Sequence, residues 1–251
     1  MKVIAQTVAL QEALNIAGNI VTSRTPKPVL QCLKLTADDD TLTITATDLE
    51  VGCRYRLTAV KIEEPGEILI PAARLNGIVR ESTDESLTLE SEDKVCLVKG
   101  SGSKFRVFGY DPGEYPAVTE FPGEEDFQVS PQVLGEMIEK TIFATAKAHS
   151  HYAISGLLVE AEQKKLQFVA TDGHRLSRTR GTLIEAAKKK LSAIAPAKLM
   201  NMVQRLCGET EENVLFKMID NQILVHTPSI TLMSPTVQGN FPNYAEVIPS
   251  E

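Results

Sequence analysis

The sequence predicts an α+β protein made of two tandem copies of one unit, each with antiparallel sheets and two helices. Three observations carry this. Sliding the chain by 124 positions, so that Leu10 falls on Leu134, brings roughly the first eighty residues of its halves into register without a gap. Within each half, apolar residues recur every second position in some stretches and every third or fourth in others, the periods of strand and helix. A turn-rich segment separates the copies, which run over residues 1–122 and 127–249.

The register holds in detail. Leu14 falls on Ile138, Leu30 on Ile154, Leu33 on Leu157, Leu35 on Val159, Leu42 on Leu166, Ile44 on Phe168 and Ala46 on Ala170. The polar pair Thr47-Asp48 falls on Thr171-Asp172, and further on Leu75 meets Leu199, Ile78 meets Met202 and Val79 meets Val203. Chance similarity would not preserve both periods together with a polar pair. A repeat this long means duplicated domains rather than a solenoid of short units.

Each copy opens with a strand, Val3 to Gln6 and Phe127 to Val129. A helix follows, with a stripe of Leu10, Ala13, Leu14, Ala17, Ile20 and Val21 in the first copy. In the second, Ser130 is placed to cap, Pro131 to start the helix, and Val133, Leu134, Met137, Ile138 and Ile142 to form its stripe. Alternating runs at Leu42 to Ala46 and Leu166 to Ala170 read as half-buried antiparallel strands. Pro71 and Pro196 open a second helix in each copy. Three short strands then close each: 87–90, 95–99 and 104–108, and 214–218, 223–226 and 230–233. That is about eight strands per half, in an order suggesting that each copy is itself two similar units, a symmetry suited to ring assemblies. Gly109 to Pro116 and Phe121 to Asp126 form the linker, and Gly239 to Pro249 is its counterpart, with Tyr115-Pro116 and Phe241-Pro242 in equivalent places.

Composition narrows the function classes. With 43% hydrophobic and 24% charged residues there is no signature of disorder or of a membrane span. The amphipathic N-terminal stretch lacks a secretory core, so a cytoplasmic location is expected. Cys32, Cys53, Cys96 and Cys207 lie far apart without metal or redox spacing, and no metal or cofactor is expected.

The net charge of -7 argues against nucleic acid unless the distribution is uneven. The predicted helices carry Arg74, Arg80, Lys140, Lys198 and Arg205 against Glu12, Glu81, Glu136 and Glu139, a balance of +1 that leaves -8 elsewhere. Arg24, Lys27 and Lys147, just past the first helix of each half, bring the helix side to +4. An acidic exterior with a mildly basic helical face suits loose contact with phosphates.

Catalytic constellations are sparse. His149 and His151 alternate as ligands on one strand face would, but no third ligand is spaced to complete a site, and His226 reads as structural. The sharpest segment is Ala170-Thr-Asp-Gly-His-Arg-Leu176, where a strand ends and Asp172-Gly173 turns the chain. Asp172 could orient His174 as a base, yet no nucleophile context or phosphate-cradling glycine loop accompanies them. The turn is the better reading, and no catalytic residue is expected.

Thr171-Asp-Gly-His-Arg-Leu176 closely resembles the signature turn of the second domain of the bacterial beta sliding clamp family, the processivity subunits of replicative DNA polymerase. Arg24-Thr-Pro-Lys-Pro-Val-Leu30, Thr47-Asp-Leu-Glu50, Pro71-Ala72 and Phe241-Pro-Asn-Tyr-Ala-Glu-Val-Ile-Pro249 also resemble the family pattern, so the similarity covers the whole chain. The resemblance implies the DNA clamp fold, with two subunits of three such domains closing head to tail into a ring whose helices line the hole. The chain ends where the family's third domain would start, so that domain is expected to be absent from it, and a dimer would hold four domains where six are needed. Glu246 departs from the basic residue many members carry there.

The resemblance implies a non-catalytic scaffold that encircles duplex DNA without sequence preference, and a homo-oligomer when full length. Its partners would be the replicative polymerase, a clamp loader and repair polymerases, bound through short peptide motifs. The alternative is an interaction module of the same fold that does not surround DNA. The implied partner pocket comprises Ile154, Thr171, Gly173, His174, Arg175, Leu176, Pro242 and Val247. The implied subunit joint uses Phe105 and Val107 on an edge strand. Phosphate contacts are expected from Arg24, Arg74, Arg80, Lys147, Lys198 and Arg205.

Overall fold

The computed structural model describes residues 1–22, 24–147 and 153–248. It divides into two compact bodies, Met1–Glu120 with Pro228–Thr231, and Phe121–Thr227 with Leu232–Glu251.

The first body runs β1 (Lys2–Gln6), α1 (Thr7–Gly18), β2 (Cys32–Asp38), β3 (Thr41–Thr47), β4 (Gly52–Leu57), β5 (Val60–Glu64), β6 (Gly66–Pro71), α2 (Ala72–Glu81), β7 (Ser86–Glu92), β8 (Val95–Lys99) and β9 (Lys104–Phe108). Its strands pair antiparallel in the orders β5-β1-β7-β8-β9 and β4-β3-β2-β6. The two helices pack on each other, and α1 lies on β3 and β4.

The second body repeats the plan with β10 (Phe127–Val129), α3 (Pro131–Ile142), β11 (Gly156–Glu162), β12 (Lys165–Thr171), β13 (Leu176–Thr182), β14 (Leu191–Pro196), α4 (Ala197–Glu209), β15 (Val214–Ile219), β16 (Gln222–His226) and β17 (Ile230–Pro235). Its strand orders are β10-β15-β16-β17 and β13-β12-β11-β14. Helices α3 and α4 pack together, with α3 across β12 and β13.

The repeated stripes account for the repeated cores. Leu10, Ala13, Leu14 and Ala17 of α1 are buried, as are Leu134, Met137 and Ile138 of α3. They meet Leu42, Ile44 and Ala46 of β3 and Leu166, Phe168 and Ala170 of β12, all fully buried. Burying each such leucine contributes about 1.5 to 3 kcal/mol. The Ser130 hydroxyl accepts from the Val133 amide at 3.4 Å, so α3 starts as its cap residue predicts. Pro71 and Pro196 end β6 and β14 and stand at the cap of the following helix, one position earlier than expected. Gly181 lets α3 approach β13, since a Cβ there would lie 2.4 Å from the Met137 sulfur.

Two expectations need correcting. The strands read as half-buried are covered on both faces at their far ends, where Thr47 and Val169 are 4% and 0% exposed. The chain after β9 and after β17 folds back as a strap over them, anchored by the Tyr110 amide on the Leu69 carbonyl (2.8 Å) and the Val237 amide on the Ile194 carbonyl (2.9 Å). The helix charge also differs. Because α4 extends to Glu209, five acidic residues (Glu12, Glu81, Glu136, Glu139, Glu209) balance the five basic ones, and the helices are neutral rather than +1.

Candidate partner pocket and charged helix surface

The turn after β12 builds itself from its own side chains. Thr171 ends the strand buried, its hydroxyl donating to the Arg175 carbonyl (2.7 Å) and accepting from the Gly173 amide (3.1 Å). The Asp172 carboxylate accepts from the amides of His174 (3.0 Å) and Arg175 (3.1 Å) and from the Arg175 guanidinium (3.0 Å). These bonds, backbone amides first, hold its carboxyl below the usual carboxylate range. Gly173 sits at φ +88°, which favours glycine. Arg175 also donates to the Phe143 carbonyl (2.6 Å) and lies over the Phe143 ring, so its side chain is tied to the end of α3. His174 is exposed beside them.

This turn delivers Leu176 to an apolar floor. Ala153, Leu158, Val169 and Ile194 form a buried cluster, and Leu176, Val237, Phe241 and Tyr244 pack on it half-buried. Gly156 makes the room, because a Cβ there would lie 2.6 Å from Ile194 and 3.1 Å from Val237. Ile154 is half-buried beside this floor in sequence, its carbonyl accepting from the Ala146 amide (2.9 Å). Pro242 follows Phe241 and is exposed, and Val247 is 67% exposed beyond the short helical turn at Tyr244–Glu246. The turn residues, Leu176 and the strap at Phe241 are thus brought together. Val247 is not among the residues packed on the floor.

Residues that sequence reasoning missed hold the strap in place. The Tyr244 hydroxyl donates to Glu160 (2.7 Å) and accepts from the Gln167 amide (2.7 Å), which also donates to Glu160 (2.8 Å). Burial, then the Glu160 carboxylate, raises the Tyr244 phenol. The first copy has a strap tyrosine too. There Tyr115, in the place of Phe241, holds the equivalent strap by other bonds: it is buried against Cys32, Leu69 and Val29, its hydroxyl accepting from the Thr47 amide (2.9 Å) and donating to the Cys32 carbonyl (3.2 Å).

All six predicted phosphate-binding residues, Arg24, Arg74, Arg80, Lys147, Lys198 and Arg205, are exposed. Arg74 and Lys198 hold the same repeat position on α2 and α4, while Arg80 pairs with Glu81 at 3.0 Å. Lys198, Asn201 and Arg205 make one exposed stripe along α4. At the first body's sheet edge, β9 carries Phe105 at 45% exposure and, two residues along the same side, Val107 at 6%. The apolar groups offered outward by this edge are Phe105 and Phe108, the latter 69% exposed.

His149 and His151 lie outside the described residues. His226 stacks on Phe121 at 4.5 Å between ring centroids, the structural role expected of it. Burial pushes the Cys32 thiol up to about 11 and those of Cys53, Cys96 and Cys207 to about 12, keeping them protonated and poor nucleophiles. Among the described residues no group of three or more His, Cys, Asp or Glu could hold a metal ion, and no helix is long and apolar enough to cross a membrane.

Comparison with known proteins covers both bodies. Residues 1–119 match the DNA polymerase III beta subunit, N-terminal domain, and residues 128–243 match its central domain. The beta sliding clamp of Pseudomonas aeruginosa is 31% identical over 97% of this chain and 67% of its own length. That of Haemophilus influenzae is 32% identical over 96% and 66%. A crystal structure of a sliding clamp from Pseudomonas aeruginosa bound to griselimycin superposes with a TM-score of 0.93 at 30% identity, covering all of this chain and 68% of that one. The chain therefore spans about two thirds of the length of these relatives.

Proposed function

The chain belongs to the DNA polymerase III beta subunit family, and from that premise we propose that it is a DNA sliding clamp, a processivity factor that encircles duplex DNA and tethers polymerases to it. The observation that carries this reading is the match of two successive clamp domains, in family order, along one chain. No bond-making step is assigned to it. Its work is topological retention together with weak, sequence-independent contact.

The finer parts of the proposal rest on placement. Exposed Arg24, Arg74, Lys147, Lys198 and Arg205, with Arg80 beside its glutamate, meet phosphates, since a sliding contact has to ignore base identity. Leu or Phe side chains of partner peptides from the polymerase, clamp loader and repair polymerases dock at the floor under Leu176. Subunits join through the β9 edge at Phe105 and Val107, with the exposed Phe108 adding apolar surface beside unpaired backbone groups.

Retention on circular and linearised DNA of equal length tests the main reading with the protein at its native length. A ring slides off free ends, so retention is expected on the circle and loss after cutting. Equal retention on both would favour an interaction module that does not surround DNA.

A further inference from the structure

The outward face of the sheet β13-β12-β11 changes character along its length. Register places Leu176 opposite Thr171, Arg178 opposite Val169, Arg180 opposite Gln167 and Thr182 opposite Lys165. The end at Leu176 is the apolar floor of the pocket, while two and four residues further along β13 the same face presents Arg178 and Arg180, both exposed. Arg180 also lines a groove of ≈ 590 Å³ with Lys165, Lys190, Glu160, Glu162 and Tyr244.

This strip is cationic in a chain of net charge -7. Lys190 is offset by Glu162 at 3.2 Å, and Glu160 is taken up by Tyr244 and Gln167. Arg178, Arg180 and Lys165 form no ion pair among the described residues; Arg180 donates only to the neutral Gln167 oxygen at 3.1 Å. The strap crosses over β11 and β12 through Tyr244, and Arg178 and Arg180 stand on the neighbouring strand. The helices pack on the opposite face of the sheet, so the strip is separate from the surface assigned to DNA phosphates.

We propose that this strip is a second subsite for partner peptides, which reads acidic side chains flanking the apolar anchor held at Leu176. The inference rests on the pocket reading above. Geometry sets the spacing: successive same-face residues of an extended strand stand roughly 7 Å apart, so Arg178 and Arg180 match carboxylates about two and four residues from the anchoring Leu or Phe. An acidic peptide fits better than a nucleic acid because the strip is short and adjoins an apolar pocket on the same face, which takes an apolar side chain and not a phosphate backbone.

The test uses fluorescent peptides sharing one Leu/Phe anchor, with Asp or Asn placed two and four residues to either side, titrated into wild type and Arg178→Gln/Arg180→Gln. Wild type is expected to bind one acidic peptide about two- to tenfold more tightly than its neutral twin, with the preference shrinking as salt rises. The double variant should lose that preference while binding the neutral peptide as wild type does. Equal binding of acidic and neutral peptides to wild type overturns the second subsite and leaves the pocket standing. No binding of either peptide overturns both. A double variant that keeps the acidic preference, or that loses short-duplex DNA affinity instead, shows that these arginines serve another purpose and overturns the proposal.

Discussion

Leu49 and Gly173 occupy one position of the same turn in the two copies. Each donates its amide to the hydroxyl of the threonine two residues before it, at 3.0 and 3.1 Å, and each sits in the left-handed region, at φ +76° and +88°. Asp48 and Asp172 then accept from the next two amides in both copies. The Thr-Asp signature is therefore a turn-building device first, and what packs beside it gives the second copy its pocket.

A leucine in that conformation costs about 1 kcal/mol, and Leu49 is 52% exposed, so little packing offsets the strain. Leu49→Gly should raise stability by roughly 0.5 kcal/mol after the glycine's chain entropy is counted. Denaturant unfolding measures it, and a lower midpoint for the variant would contradict the turn geometry.

Tyr115 is buried and its hydroxyl bridges the Thr47 amide and the Cys32 carbonyl. Tyr115→Phe leaves both backbone groups without that partner and should cost about 1 to 3 kcal/mol. Hydrogen exchange should show the loss as faster exchange at the Thr47 amide. Unchanged exchange there would mean that the hydroxyl carries no such bond.

Replacing Leu176 by Asp removes one wall of the pocket without touching the turn that precedes it. Losing the burial of one such side chain is worth about 1.5 to 3 kcal/mol, so peptide affinity should fall about tenfold or more. A thermal melt controls for folding. Equal affinity in two folded proteins would remove Leu176 from the pocket.

Tyr244 bonds to Glu160 as a neutral donor, and burial followed by the Glu160 carboxylate raises its phenol above the ordinary tyrosine value of 10.0. A folded-state pKa above the unfolded one means that this stability is present below pH 10 and is lost as pH rises through the raised value. Ultraviolet titration should show Tyr244 and the buried Tyr115 ionising later than exposed tyrosines, and Tyr244→Phe should remove one late phenol while leaving that of Tyr115. A titration curve unchanged by the substitution would refute the assignment.

Arg74 and Lys198 share a repeat position on two exposed helix faces, whereas Arg80 is partly neutralised by Glu81. Arg74→Gln should lower the salt dependence of duplex binding by about one counterion's worth, and Arg80→Gln by less. Dissociation constants measured across a salt series decide it. A larger effect from Arg80 would reverse the ranking.

The sequence by itself determined the duplication, the α+β class and the buried stripes, because period and hydrophobicity are properties of neighbours along the chain. It also determined the turn at Thr171–Arg175, whose hydrogen bonds all span four residues or fewer apart from the tie of Arg175 to Phe143. Only the tertiary structure decided how the floor under Leu176 is made. Ala153, Leu158, Val169 and Ile194 come from separate elements and Val237 and Phe241 from the strap, and no local pattern marks them as one surface. Tyr244 meets Glu160 across 84 positions, a contact created by the strap folding back over the sheet. Val107 shows the same limit. The family resemblance put it beside Phe105 at the subunit joint, and the two share one side of β9, yet Val107 is 6% and Phe105 45% exposed, a difference set by which neighbouring elements cover each position.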